Sequence, residues 1–144
     1  AQKSSDLISS KLPVDIDSAI SGRYWGKYNE TYFLKGCNYW KLDNGDMTGP
    51  YVINDTFPGL ECDISAAAGI DSTAYFFKGC NYWTYKRDWK IEGPSLIDYA
   101  FEGLPCDIDA ALNLDDKVYF FQITIAVELI GSTLIQKLHE EQLF

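Results

Sequence analysis

The side chains that most often carry out catalysis are scarce in this chain. Its 144 residues include one histidine, His139, and a serine, threonine or cysteine nucleophile needs such a base beside it. His139 and Glu140 begin as a zinc-protease helix motif does, but Leu143 stands where that motif has its second histidine. We interpret His139 as a surface residue of a helix and predict that the protein is not an enzyme.

Two pairs of aspartates have a spacing that suits acid–base chemistry or metal binding. Asp15 with Asp17, and Asp107 with Asp109, each stand two residues apart, so on a strand both carboxylates of a pair lie on one face. The two pairs occupy equivalent places in the chain, which favours a structural role repeated in each unit over a single catalytic centre.

The composition excludes several classes of partner. The 12 Lys and Arg stand against 21 Asp and Glu, for a formal net charge of −9, so the chain lacks the basic footprint that nucleic acid or an anionic membrane surface requires. The most apolar stretch, residues 118–135, contains Glu128, and a carboxylate there opposes membrane insertion. Hydrophobic residues make up 47%, which is enough for a core.

Internal repetition dominates the sequence. The run Lys35–Trp40 returns unchanged at Lys78–Trp83, 43 residues later, and Gly49-Pro50 returns as Gly93-Pro94. Further matches pair residues 57–60 with 101–104, and residues 63–67 with 107–111. Each unit is therefore predicted to be one supersecondary module.

Each module is predicted to be a small antiparallel sheet. A short apolar strand and an aromatic strand come first, a Gly-Cys-Asn turn leads to a third strand with adjacent Tyr and Trp, and an outer segment follows Gly-Pro. The predicted spans are 16–20, 64–68 and 108–112 for the first strand, 31–35, 74–78 and 118–121 for the second, and 51–57 and 95–101 for the outer segment. Such repeats indicate an all-β fold of propeller blades around an axis.

The order of these motifs resembles the hemopexin repeat. Asp-Ile-Asp-Ala-Ala, Tyr-Phe-Phe-Lys-Gly-x-x-Tyr-Trp, Gly-Pro and Phe-Pro-Gly-Leu follow one another, and the resemblance covers residues 12–121. That family builds four-bladed propellers in matrix metalloproteinases, vitronectin, haem-carrying hemopexin and plant seed albumins. The resemblance implies a hemopexin-like β-propeller, here with two full blades, partial blades and a divergent tail.

The repeats divide the chain into five segments. Residues 1–13 end a preceding unit, 14–60 and 61–104 are full repeats, 105–121 start a third, and 122–144 form a tail with a helical stripe of apolar residues. The tail replaces the expected Lys-Gly-x-x-Tyr-Trp. Three alternatives follow. The tail substitutes for the missing parts of the propeller, or the chain is a fragment, splice form or mispredicted product, or the incomplete ring has an open strand edge and closes with a second copy.

Strand direction predicts how the four cysteines pair. Strands alternate in direction, so the turn between the second and third strands lies on the same face as the link to the next blade. This brings Cys37 near Cys62 and Cys80 near Cys106, and we predict disulfides at these two pairs. Reduced thiols in an intracellular protein are the alternative, and the lack of a Cys-x-x-Cys pair disfavours zinc.

Two sequons favour the same compartment as the disulfides. Asn29-Glu30-Thr31 and Asn54-Asp55-Thr56 are predicted N-glycosylation sites. Together with the disulfides they predict a secreted, extracellular protein, with an intracellular location as the alternative.

The resemblance also implies an ion in the central channel. In that family, backbone carbonyls of the innermost strands hold calcium or sodium, and the matching positions are Asp17, Ser65 and Asp109. Ser65 departs from the usual Asp. The alternative is that these side chains only bond to nearby backbone amides. Haem is not expected, because the family binds it through histidines that the repeats lack.

One loop does not repeat. Between residues 21 and 30 it combines glycines with Arg23, Tyr24, Trp25 and Tyr28, residue types enriched at interface hot spots. We predict that these four residues bind a partner. The alternative is a loop that folds back and buries Trp25.

These features predict a non-catalytic binding module that recognises an extracellular protein or matrix ligand. One alternative is a free-standing small-ligand binder of the seed-albumin type, with a polyamine or haem as ligand. Another is a non-catalytic fragment of a matrix metalloproteinase. Fold does not decide between them.

Overall fold

A computed structural model describes residues 12–122, and these form antiparallel sheets joined by short turns. In this part of the chain no helix has the length and apolar character needed to cross a membrane. The predicted helical stripe and His139 lie outside the described residues.

The first sheet is a four-stranded meander. Its strands are β1 (Ser18–Ser21), β2 (Glu30–Lys35), β3 (Asn38–Asp43) and β4 (Asp46–Val52), paired in that order. A 3-10 helix, Gly22–Trp25, separates β1 from β2, and helix α1, Ile53–Thr56, follows β4.

The second sheet repeats this plan, and the third begins it again. Strands β5 (Ala66–Ile70), β6 (Thr73–Lys78), β7 (Asn81–Tyr85) and β8 (Ile91–Leu96) pair in order, and helix α2, Ile97–Ala100, follows. Strands β9 (Ala110–Leu114) and β10 (Lys117–Phe121) form a two-stranded sheet. The all-β prediction is confirmed, whereas the count of four blades stays a prediction.

The outer strand of each full sheet differs from its prediction. Gly49-Pro50 lies inside β4 rather than before it, and the residues after Val52 form α1. Proline is tolerated here because β4 is an edge strand of its sheet. Glycine is required at position 49, since a Cβ there would lie 3.0 Å from the Tyr39 carbonyl oxygen and from the Trp40 ring.

The three sheets meet along their first strands. β1 adjoins β5, and β5 adjoins β9, so the inner strands gather around a common axis as propeller blades do. One apolar cluster fills the space between the first and second sheets, with Phe57 at its centre. A second cluster around Phe101 fills the space between the second and third sheets.

Candidate binding face

One face of the blades carries the disulfides. Cys37 is bonded to Cys62 and Cys80 to Cys106, with Cα atoms 4.4 Å apart in both pairs, so both predicted disulfides are present. The same hydrogen bonds brace both turns, since the N–H of Asp63 donates to the Gly36 carbonyl and that of Asp107 donates to the Gly79 carbonyl at 2.9 Å.

The predicted ion-binding residues hold equivalent places just before the inner strands. Their N–H groups make equivalent hydrogen bonds near the ends of β2, β6 and β10: Asp17 donates to the Leu34 carbonyl, Ser65 to the Phe77 carbonyl and Asp109 to the Phe121 carbonyl. Their side-chain roles differ, because an Asp17 carboxylate oxygen accepts from the Gly36 N–H at 2.8 Å. The Ser65 hydroxyl instead lies 2.6 Å from the Ile108 carbonyl oxygen and so ties the second repeat to the third.

Within residues 12–122, no three acidic, histidine or cysteine side chains come together as a metal site. The channel ion that the resemblance implies, held by backbone carbonyls, stays a prediction.

The opposite ends of the strands carry the unrepeated loop. Ser21 caps the start of its 3-10 helix, where the Ser21 hydroxyl accepts from the Arg23 N–H at 3.2 Å, and Gly26 caps the end with a φ of 90°. Glycine also fits at position 22, because a Cβ there would lie 2.7 Å from the Lys27 carbonyl oxygen. These constraints fold the loop back onto the sheets.

Trp25 is a core residue, so its assignment as a partner contact is wrong. Its side chain is 3% exposed. Ring centroids lie 5.0 Å from Tyr32, 5.8 Å from Phe57 and 5.4 Å from Tyr85. The loop thus anchors itself between the first two blades through the tryptophan, which was the alternative interpretation of the sequence.

Tyr24 lies across the inner strand of the second blade. A Cβ on Gly69 would fall 2.0 Å from its ring, so the ring occupies the space that any other residue would need. The Asn113 amide binds both backbone groups of Gly69, accepting from the N–H at 2.9 Å and donating to the carbonyl at 2.6 Å. The Tyr24 ring and the Asn113 amide therefore both contact Gly69, near the end of β5.

A cleft of about 800 Å³ opens beside Tyr24. Arg23 contributes a cation to it, whereas Asp71, Asp115 and Asp116 contribute carboxylates from the two neighbouring hairpin turns. The cleft is therefore predominantly acidic and suits a cationic ligand by charge.

The far end of the loop meets a turn of the second blade. The guanidinium of Arg87 donates to the Tyr28 hydroxyl and lies 5.7 Å from that ring's centroid, and the Lys27 ammonium lies 4.9 Å from the Trp89 ring. We call this surface the basic aromatic patch; it consists of Lys27, Tyr28, Lys86, Arg87, Trp89 and Lys90.

Both rings of the patch are exposed, Tyr28 by 65% and Trp89 by 56%. Sequence reasoning found Tyr28 but missed Trp89 and Arg87. The signal was a departure from repetition, because Lys86–Lys90 replaces the Asn44-Gly45 turn of the first blade.

Both predicted glycosylation sites are at the surface. Asn29 is exposed and directly precedes β2, next to Tyr28. Asn54 is exposed in α1, and its side-chain oxygen accepts from the Gly59 N–H at 3.2 Å. Glycosylation at either position stays a prediction.

The comparisons with known proteins agree with this architecture. Residues 24–62 match the family model described as Hemopexin. The hemopexin fold protein CP4 from cow pea superposes with a TM-score of 0.57 at 22% identity, over 74% of this chain and 56% of that one. A search of curated protein sequences finds no significant match.

Two further plant proteins superpose equally well. The seed albumin LS24 from Lathyrus sativus gives a TM-score of 0.58 at 23% identity, over 74% of this chain and 56% of that one. A plant lectin with two metal binding sites from Cicer arietinum gives 0.59 at 22% identity, over 75% and 59%. The chain thus spans less than two thirds of the length of these structures, and the likeness establishes the fold.

Proposed function

We propose that this hemopexin-fold chain is a non-catalytic binding module that recognises an extracellular protein or matrix ligand. It binds through the face that carries the loop at residues 22–29. The opposite face, held by the two disulfides, keeps the blades in place. Disulfides persist in oxidising compartments, which supports a secretory or extracellular location.

The observation that carries this proposal is the position of the unrepeated loop. Trp25 fixes it in the core, while Arg23 and Tyr28 stay exposed on either side of that anchor. A rigid scaffold that presents arginine and tyrosine at its surface is typical of a recognition site. The similarity to a plant lectin and a seed albumin supports a binding role over a catalytic one.

A solid-phase assay tests the proposal. The whole chain is applied to an immobilised extracellular matrix extract, beside the double variant Arg23→Ala/Tyr28→Ala. Tyr99→Ala is the matched control, because Tyr99 is exposed on α2, away from the loop. We expect saturable binding that weakens about tenfold in the double variant and not in the control. Absent binding, or equal binding by all three proteins, contradicts the proposal.

The acidic cleft supports a second candidate, a small cationic ligand of the polyamine class. Asp71, Asp115 and Asp116 line it beside the Tyr24 ring. Calorimetry with spermine is expected to show binding that Asp115→Asn/Asp116→Asn weakens several-fold, since each exposed ion pair contributes modestly. No heat of binding at millimolar spermine excludes this candidate.

We also propose that calcium binds at the axis, through the carbonyls of Asp17, Ser65 and Asp109. The plant lectin from Cicer arietinum that shares this fold has two metal binding sites, which supports a metal here. Calcium is expected to raise the melting temperature of the chelator-treated protein, because a ligand that binds only the folded state stabilises it. An unchanged melting temperature in saturating calcium contradicts this.

A further inference from the structure

We propose that the basic aromatic patch binds an anionic polysaccharide, a sugar chain that carries carboxylate or sulfate groups. This inference rests on the proposed function, because it names the chemistry that the loop-bearing face recognises. Three independent features of the patch support it: its charge, its open ring faces and the backbone conformation of Trp89.

The charge of the patch opposes that of the whole molecule. Lys27, Lys86, Arg87 and Lys90 are four of the 12 cations of a chain with a net charge of −9. In residues 12–122 the ion pairs within 4.0 Å are Lys41–Glu30 and Lys78–Glu61, so these four cations are not neutralised there. The one carboxylate of the turn, Asp88, instead accepts from the backbone N–H of Lys90 at 3.2 Å.

The two rings provide open apolar faces between these charges. A cation from the patch covers one face of each ring, with Arg87 over Tyr28 and Lys27 over Trp89. More than half of each side chain remains exposed. A sugar ring has an apolar C–H face that packs on an aromatic face, and its acidic groups then lie within reach of the neighbouring cations.

The backbone holds Trp89 in a conformation that folding alone does not favour. The Trp89 N–H closes the turn on the Lys86 carbonyl at 3.0 Å, and its φ is 62°. A bulky residue rarely adopts this left-handed region, where glycine is usual. Burial of the side chain does not offset the strain, because the ring is exposed. Such outliers concentrate at ligand-binding sites.

The shape of the patch favours a polysaccharide over a protein anchor. Its two exposed rings and the cations of residues 86–90 form an open row along a turn, which a linear polymer can follow. A chain with regularly spaced negative charges complements this arrangement. Sulfated and uronate polymers share that chemistry, and the experiment separates them.

The experiment measures tryptophan fluorescence and calorimetric heats of the whole chain with heparin, polygalacturonate and neutral dextran. We expect heparin or polygalacturonate to bind, with an affinity that falls as salt rises, and dextran not to bind. Lys86→Glu and Lys90→Glu are expected to weaken binding about threefold to tenfold each. Lys117→Glu, the same change on β10, is the matched control and should bind like the wild type.

Trp89→Gly separates a binding role from a structural one. Glycine adopts the positive φ without strain, so the melting temperature should rise, by roughly 3 °C. Loss of the ring should weaken polyanion binding about tenfold. A more stable protein that binds less tightly supports the proposal, whereas unchanged affinity overturns it.

The remaining outcomes are also decisive. Absence of binding to both polyanions, or equal binding to dextran, overturns the polysaccharide inference. If the matrix extract still binds and binding is lost in Arg23→Ala/Tyr28→Ala, the proposed function survives with a different ligand, such as an acidic protein. If neither the extract nor the polyanions bind, both proposals fail together.

Discussion

The first two blades share a framework and differ in their connections. The Lys-Gly-Cys-Asn-Tyr-Trp turn, the disulfide and the short helix after the outer strand are equivalent in both. On the opposite face, the first blade has the long 22–29 connection and a two-residue turn at Asn44-Gly45. The second blade has the reverse, a two-residue turn at 71–72 and the longer turn at 86–90.

The two exceptional connections meet each other. Tyr28 of the first blade contacts Arg87 of the second, and Lys27 contacts Trp89. The two connections that depart from the repeat therefore combine in one surface. Repetition identifies the residues that build the scaffold, and its local failure identifies the candidate binding surface.

The largest expected effect tests whether Trp25 belongs to the scaffold or to that surface. Trp25→Ala should lower the free energy of unfolding by about 4 kcal/mol, because it removes a buried ring from the cluster between the two blades. Tyr28→Ala, in the same loop but exposed, should change it by less than about 0.5 kcal/mol. Urea unfolding measures both, and similar values for the two variants contradict the distinction.

The two disulfides should contribute equally, because the blades share this part of the framework. They join cysteines 25 and 26 residues apart, and loop closure at that length corresponds to about 3.5 kcal/mol. Cys37→Ser/Cys62→Ser and Cys80→Ser/Cys106→Ser are compared by denaturant unfolding. If the two variants lose unfolding free energies that differ by more than about 1 kcal/mol, the two disulfides are not energetically equivalent even though their turns have the same structure.

Gly69 provides a smaller test of how the loop fits the second blade. Its backbone does not need glycine, but an alanine Cβ would lie 2.0 Å from the Tyr24 ring. Gly69→Ala should cost about 2 kcal/mol through overpacking. In a Tyr24→Ala background the same change should cost less than about 0.5 kcal/mol, which a double-mutant cycle measures. If Gly69→Ala destabilises the Tyr24→Ala protein by the same amount, the strain comes from a contact in β5 other than the Tyr24 ring.

The scaffold could be predicted because local sequence specifies it. The Gly-Cys-Asn turn specifies a hairpin, and the alternation of apolar and polar residues specifies which face of a strand is buried. Both patterns occur in each of the two full repeats. The disulfides followed from strand direction. The prediction for the outer strands is wrong, because the sequence pattern places Gly49-Pro50 before a strand that in fact contains it.

The candidate binding surface could not be predicted in the same way. Tyr28 and Arg87 are 59 residues apart. Tyr28 lies between the first two strands of its blade and Arg87 between the last two strands of the next blade, so the repeat does not relate the two positions. The composition of the loop is also the same whether Trp25 faces inward or outward. Packing against Tyr32, Phe57 and Tyr85 decides that direction, and those contacts exist only once the blades are assembled.

The smallest expected effect compares equivalent tyrosines at alkaline pH. Tyr32 and Tyr75 hold the same place in β2 and β6. Burial raises the pKa of both above 10.0, and the hydrogen bond that the Tyr32 hydroxyl donates to Glu30 raises the pKa of Tyr32 further. A tyrosine in the unfolded chain ionises near pH 10. The free energy of unfolding is therefore unaffected by these two phenols below that pH, and it falls as the pH rises toward their pKa values in the folded protein.

The urea midpoint should therefore fall between about pH 9 and pH 11. Once the pH exceeds the folded pKa of Tyr75, Tyr32→Phe should reduce that fall more than Tyr75→Phe, because burial and the hydrogen bond to Glu30 together keep the Tyr32 phenol neutral to higher pH. Tyr28→Phe, at an exposed ring, controls for the loss of one hydroxyl. An equal reduction in the first two variants would mean that Glu30 adds nothing, and that the blades behave alike at this position despite their different neighbours.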